Sequence, residues 1–421
     1  MHHTATETFT HLLILISTVA VTCSSFHQKK PTSGSVSFTS DSLYIDPSDL
    51  PESTLAPATV AAERDSLRRA FEKCLPGKTV TSGNFTAFAP VLFTYRDPAV
   101  IPLFREIIQD TAVHIFFRML SVYCLGECGS DDEFTFLSRY YTTENPLFRE
   151  YIASALNKLA TTREHFSCLR NLVKKERNPF VYKTLLARKL PPVTTTPVAL
   201  PLFESDTIRK ELFYPNVFKV DFRAIGYRAT LSTPPAEPPV TGSCIYPHQQ
   251  YKVNRRLYTL IDYPVVSFGF ENGEWGIHVG EDSGWLFPGM PIHAIMDGIV
   301  VRMQHESTWG CLTVIESRLP DKRHVTVFYG HLSHRNNVTV GDTVQTGDKI
   351  GEIGPSYTLT NGGYLAHLHL GIEKTGFNNA LIKGWYHNTD RWYSPMAFIA
   401  AFNTAPPKNS PAEWILYKSR R

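Results

Sequence analysis

The sequence predicts a multidomain α + β chain, with an N-terminal α-helical repeat (solenoid-like) unit and a C-terminal antiparallel β-rich domain. Three observations carry this. Apolar residues recur at helical spacing between about 61 and 191. Short alternating runs broken by Gly and Asn/Asp turns fill the stretch from about 262 onward. Pro-rich text separates the two. At 421 residues the chain exceeds one ordinary core, and 43% hydrophobic residues suffice to bury more than one.

The chain opens on an apolar run from Leu12 to Val21. About ten apolar residues is too short to span a bilayer and suits the h-region of a signal peptide. Val19-Ala20-Val21-Thr22-Cys23 has the form of a loose lipobox. Residues 1–23 are therefore expected to be a signal peptide, with Cys23 as a candidate lipid anchor. Residues 24–60, rich in Ser, Thr and Pro, are expected to be a flexible tether.

Residues 61–191 carry the helical pattern. Between Leu147 and Leu159, positions 147, 151, 152, 155, 156 and 159 are apolar and share one helical face. Asn145-Pro146 supplies an N-cap followed by a Pro at the first helical position. Asn178-Pro179 repeats the device, and Asp97-Pro98 is an earlier candidate. Asn145 and Asn178 are 33 residues apart, and Leu137 and Leu169 are 32 apart. A period in the thirties built of helix pairs resembles HEAT-type repeats; the alternative is a compact bundle. Such a unit implies a protein partner rather than chemistry.

Residues 192–260 read as a Pro-rich linker with some strand, such as Phe218 to Phe222. Residues 261–405 hold the predicted strands, among them Gly298–Arg302, Val325–Tyr329 and Lys349–Ile353, and 406–421 form a tail. Many short strands with turn signals suggest an antiparallel sandwich or barrel. The net charge of +3 comes without a Lys/Arg run, so no nucleic-acid partner is expected. Of seven cysteines, Cys124 and Cys128 lack a second Cys/His pair at zinc-finger spacing and read as helical core.

The chemistry lies in three short motifs. In Ala366-His367-Leu368-His369-Leu370-Gly371-Ile372, strand alternation puts Leu368, Leu370 and Ile372 on one face. His367 and His369 take the other, roughly 6–7 Å apart along the strand. Upstream, His278-Val279-Gly280-Glu281-Asp282 brings a His and a carboxylate to one small loop. The third motif is Tyr329-Gly330-His331-Leu332, a His ending an alternating strand. Each alone is weak.

Taken in order, H-x-G-x-D, Y-G-H-L and H-L-H resemble the lysostaphin/LytM-type metallopeptidases. The intervening Gly289–Val300 and Val340–Gly351 segments, and the closing Trp392–Phe398, resemble them too. The resemblance implies one Zn²⁺ per chain, held by His278, Asp282 and His369, with His331 and His367 as unligated catalytic histidines. It implies peptidoglycan as substrate, with hydrolysis of its cross-links or stem peptides. The expected location is the bacterial cell envelope, as a periplasmic or outer-membrane lipoprotein, or otherwise secreted. The alternatives are a non-catalytic activator or wall sensor of the same fold, and a peptidase acting on another protein. Glu281 departs from the family, which has an apolar residue there, and is expected to face solvent. Leu365-Ala366 and Leu370 also depart, at positions that shape the groove. Trp285, Trp309 and Tyr364 are candidates for lining it or for ordinary packing.

Overall fold

The computed structural model describes residues 101–187, 237–249 and 267–403, apart from short breaks, together with 196–197, 218–219 and 228–230. The leader, the tether, Cys23, Asp97-Pro98 and the tail fall outside the described residues.

Among the described residues six helices come first: α1 Ile101–Gln109, α2 Ile115–Cys128, α3 Asp131–Tyr140, α4 Pro146–Leu159, α5 Arg163–Lys175 and α6 Pro179–Leu185. Their ends follow the sequence signals. Asn145 caps α4, its side chain accepting from Phe148 N at 2.9 Å, with Pro146 next in line. Asn178 caps α6 through Phe180 N and Val181 N at 3.1 and 3.2 Å. Ser130 and Glu133 form a reciprocal capping box on α3. Cys124 is buried on α2. Among the described residues, no helix is long and apolar enough to cross a membrane.

The strands follow: β1 Thr196–Pro197, β2 Phe218–Lys219, β3 Arg228–Thr230, β4 Glu271–Asn272, β5 Gly276–His278, β6 Gly280–Ser283, β7 Pro291–His293, β8 Gly298–Glu306, β9 Gly310–Arg318, β10 His324–Asn336, β11 Thr343–Val344, β12 Lys349–Ile353, β13 Leu368–Glu373, β14 Trp385–Tyr386 and β15 Trp392–Tyr393. Helix α7, Pro395–Phe402, closes the fold. The pairings within the ten-stranded main sheet are antiparallel and run β11-β8-β9-β10-β12-β7, with β13 joining β10 to β6 and β15. A three-stranded sheet, β14-β5-β4, stands beside it.

Strand alternation divides the main sheet into two faces. Val325, Val327 and Tyr329 of β10 and Leu368, Leu370 and Ile372 of β13 enter the larger core. Phe328, with Val301, Leu312 and Val314, enters a second cluster on the other face, together with Trp309. The larger core continues without a break into the helices, through Phe148, Ile152 and Leu156 of α4 and Phe117 and Leu125 of α2. At roughly 1.5–3 kcal/mol per fully buried side chain, this seam weighs heavily in the stability of both halves.

Buried polar contacts cross the same seam. Glu150 meets His293 Nε2 at 2.7 Å and accepts from Gln249 Nε2 at 2.5 Å. Glu352 on β12 accepts from Ser154 Oγ at 2.5 Å and from Lys158 and Lys349, each at 2.7 Å. Arg335 and Lys158 both pair with Glu127. The Pro-rich stretch also contributes: Thr241 N donates to Arg318 O and Ile245 N to Ile295 O, so residues 237–249 run along the sheet.

Candidate functional site

Strand β13 is the axis of the site. Its antiparallel register sets His369 opposite Asp282 of β6 on one side and opposite Gly330 of β10 on the other. The three motifs, distant in sequence, thus become neighbours through backbone pairing alone.

His278 ends β5. Its N–H donates to Phe270 O and its C=O accepts from Gly269 N, both at 2.9 Å. Its Nδ1 lies 3.3 Å from Ser267 O, an acceptor that holds the proton on Nδ1 and leaves Nε2 bare. That Nε2 faces His369 Nδ1 at 3.1 Å. Asp282 Oδ1 is 3.0 Å from His369 Nδ1 and 3.5 Å from His278 Nε2. Ligand atoms of all three residues lie within 4.8 Å of one another.

This triangle fits a tetrahedral ion. Bonds of about 2.0–2.1 Å separate ligand atoms by roughly 3.3 Å, close to the three edges seen here. Asp282 Oδ1 is buried and accepts no hydrogen bond. A buried carboxylate oxygen left so is costly unless a cation meets it. Gly280 completes the cradle: a Cβ there would fall 2.1 Å from His369 Nε2, so any side chain would evict the imidazole.

His331 sits at a bulge. The β9–β10 register shifts between Tyr329 and Leu332, and His331 takes φ +60. A non-glycine residue in the left-handed region costs of order 1–3 kcal/mol and needs its surroundings to hold it. Here they do, since His331 N donates to Trp309 O and its C=O accepts from Gly354 N, both at 2.9 Å. Its Nδ1 lies 2.9 Å from Asn361 O, so the proton sits there and Nε2 carries a lone pair. The rings of His331 and His367 are 4.4 Å apart, and His367 Nε2 is 3.8 Å from Asp282 Oδ2.

Burial pushes the imidazoles of His331 and His369 down to about 3. Burial also lowers His278 to about 4, with Asp282 offsetting part of the effect. All three are neutral near pH 7, the form that offers nitrogen lone pairs. Burial pushes the Asp282 carboxyl up.

The structure therefore gathers all five side chains singled out in the sequence. Residues 277–381 match the model of Peptidase family M23. No curated protein matches the chain. Solved structures similar to part of this chain include LytU, at 26% identity over 35% of this chain and 87% of that one, with a TM-score of 0.25. A zinc-containing peptidase from Vibrio cholerae is 22% identical over 31% of this chain and 36% of its own, with a TM-score of 0.23. Csd3 of Helicobacter pylori is 23% identical over 38% and 40%, with a TM-score of 0.21. The chain spans most of LytU and well under half of the other two.

Around the site, Trp309 is buried between His369, 4.7 Å away edge-on, and His331, 6.0 Å away and stacked. It is part of the site's floor. Tyr364 lies 4.9 Å from His331, and Trp285 is outside the described residues. Glu281, expected to face solvent, is half-buried and accepts from Phe268 N and Ser267 Oγ at 3.3 and 3.4 Å. It ties down the turn whose carbonyl orients His278. Trp385, not foreseen from the sequence, packs 4.8 Å from His278. It owes that position to the β14–β5 pairing, which sets Trp385 opposite His278. No local motif signals that pairing.

Proposed function

We propose that the chain is a zinc-dependent endopeptidase that hydrolyses the peptide cross-links or stem peptides of bacterial peptidoglycan. The observation that carries the reading is the convergence of His278, Asp282 and His369 within 4.8 Å, with two further imidazoles beside them. One zinc ion would be held by His278 Nε2, Asp282 Oδ1 and His369 Nδ1. Bound there, it would supply Lewis acidity to the scissile carbonyl and make the attacking water easier to deprotonate. The protein's own groups do the rest. His331, with its Nδ1 proton committed to Asn361 O, presents a bare Nε2 suited to take a proton from the attacking water and return it to the leaving amine. His367 stands beside it to stabilise developing negative charge. Trp309 and the surrounding core keep the site dry.

The wider reading places the enzyme in the cell envelope, with Cys23 as a lipid anchor. The helical unit is read as a HEAT-like repeat that docks a protein partner, a reading supported by the repeated Asn-Pro caps at 145 and 178.

Two variants test the reading. His369→Ala is expected to lose bound zinc. His331→Ala is expected to keep zinc and lose about 10²- to 10⁴-fold in turnover. Metal analysis of both beside a muropeptide release assay reads the outcome. Full activity in either would overturn the assignment. A zinc-bound wild type with no hydrolysis would leave the non-catalytic alternative.

A further inference from the structure

Five large hydrophobic side chains are exposed among the described residues: Phe166, Leu186, Val240, Phe270 and Trp275. Two of the three that lie in the β-rich half, Phe270 and Trp275, stand together beside the metal triangle. Phe270 is 51% exposed and Trp275 43%. Both meet Trp385 edge-on, with ring centroids 6.2 and 5.6 Å away. Trp385 in turn packs 4.8 Å from His278. An aromatic ledge thus leads outward from the proposed catalytic centre.

The ledge is rigidly built. Asn272 Oδ1 accepts from Glu274 N and Trp275 N at 2.9 and 3.1 Å, closing the β4–β5 turn. Gly276, at φ +97, lets Tyr386 O approach so closely that a Cβ there would lie 2.5 Å from it. Phe270 is fixed through its backbone, since its C=O accepts from His278 N. Exposed aromatic rings pinned in this way lose little entropy on binding. An apolar patch beside a site, rimmed by polar groups, marks a surface that something covers.

We propose that Phe270, Trp275 and Trp385 form a subsite that stacks an N-acetylated amino-sugar ring of the glycan strand. The inference rests on the peptidoglycan reading above and names the part of that polymer recognised beside the bond that is cut. A pyranose has an apolar face of C–H groups and a rim of hydroxyl and amide groups. The exposed rings match the face, and Glu271, exposed and next in sequence to Phe270, adds a hydrogen-bond acceptor to the same segment. An apolar peptide side chain would instead call for a concave pocket. The reach is also right. Two ring-to-ring steps, of 4.8 and 5.6 Å, separate His278 from Trp275. At roughly 3.3–3.6 Å per extended residue, about three residues of a sugar-linked stem peptide cover that span.

The test compares two substrates sharing one scissile bond: a muropeptide with its sugars, and the same peptide without them. Trp275→Ala and Phe270→Ala, each with full zinc, are expected to lose roughly tenfold in kcat/KM on the first. Both should match the wild type on the second. Separately, chitohexaose should quench tryptophan fluorescence in the zinc-loaded wild type, bind roughly tenfold more weakly to Phe270→Ala and to Trp275→Ala, and bind Trp275→Phe more tightly than Trp275→Ala. Equal losses on both substrates, no loss on either, or no binding of chitohexaose to the wild type would overturn the proposal. The oligosaccharide contains no peptide bond. It therefore judges the ledge even if neither substrate is hydrolysed, an outcome that would sink the peptidase reading instead.

Discussion

At the scale of single residues, the site depends on where side chains are absent as much as on where they are present. Gly280 is the clearest case, because one methyl group there would strike His369 Nε2. Gly280→Ala is therefore expected to weaken zinc binding at least about tenfold, about 1.4 kcal/mol, while the fold persists. A chelator competition titration measures this, and an unchanged affinity would mean that the imidazole can move aside freely. The five side chains of the site were legible in the sequence because the ordered motifs H-x-G-x-D, Y-G-H-L and H-L-H resemble one family's pattern, which supplied their roles; each motif alone was weak. What could not be read locally were the groups that orient them. Ser267 O and Asn361 O act through backbone carbonyls, which carry no residue signature. Glu281 looked like a solvent carboxylate, because its partners lie on a turn placed by strand pairing.

At the scale of elements, two kinds of signal proved readable. Alternation in β13 correctly separates the leucine face, which enters the core, from the face that carries His369. The Asn-Pro pairs correctly start α4 and α6. Asn178→Ala is expected to cost about 1 kcal/mol, because the N–H groups of Phe180 and Val181 lose their acceptor. Chemical denaturation would measure the change, and a shift below a few tenths of a kcal/mol would show that other groups take over the cap. The bulge at Gly330–His331 was not readable. Left-handed backbone at a histidine is held by Trp309 and Gly354, which are distant in sequence. The β14–β5 pairing that sets Trp385 against His278 is likewise a tertiary event.

At the scale of the whole molecule, helices and sheet share one core on the face opposite His369. Sequence reading separated them at the Pro-rich stretch, because composition reports local chain character and not what packs across it. The buried Glu352 cluster lies on this seam. Burial alone would raise its carboxyl, but the ammonium groups of Lys158 and Lys349 outweigh burial and hold it down to about 2. A carboxylate depressed in the folded state adds stability that is present above its unfolded pKa of about 4.3 and lost as pH falls through 2. The contribution at neutral pH is roughly 3 kcal/mol. Unfolding measured from pH 6 down to 2 should show this loss in the wild type. Glu352→Gln should start less stable and lose less over the same range, and parallel curves would contradict the role given to the cluster.

The proposed chemistry turns on His331 as proton acceptor beside a metal that His278, Asp282 and His369 would hold. Mass spectrometry of peptidoglycan fragments released by the zinc-loaded protein tests it most directly. New peptide termini are expected with the wild type and none with His331→Ala. Intact peptides from the zinc-loaded wild type, or the same new termini from His331→Ala, would contradict it.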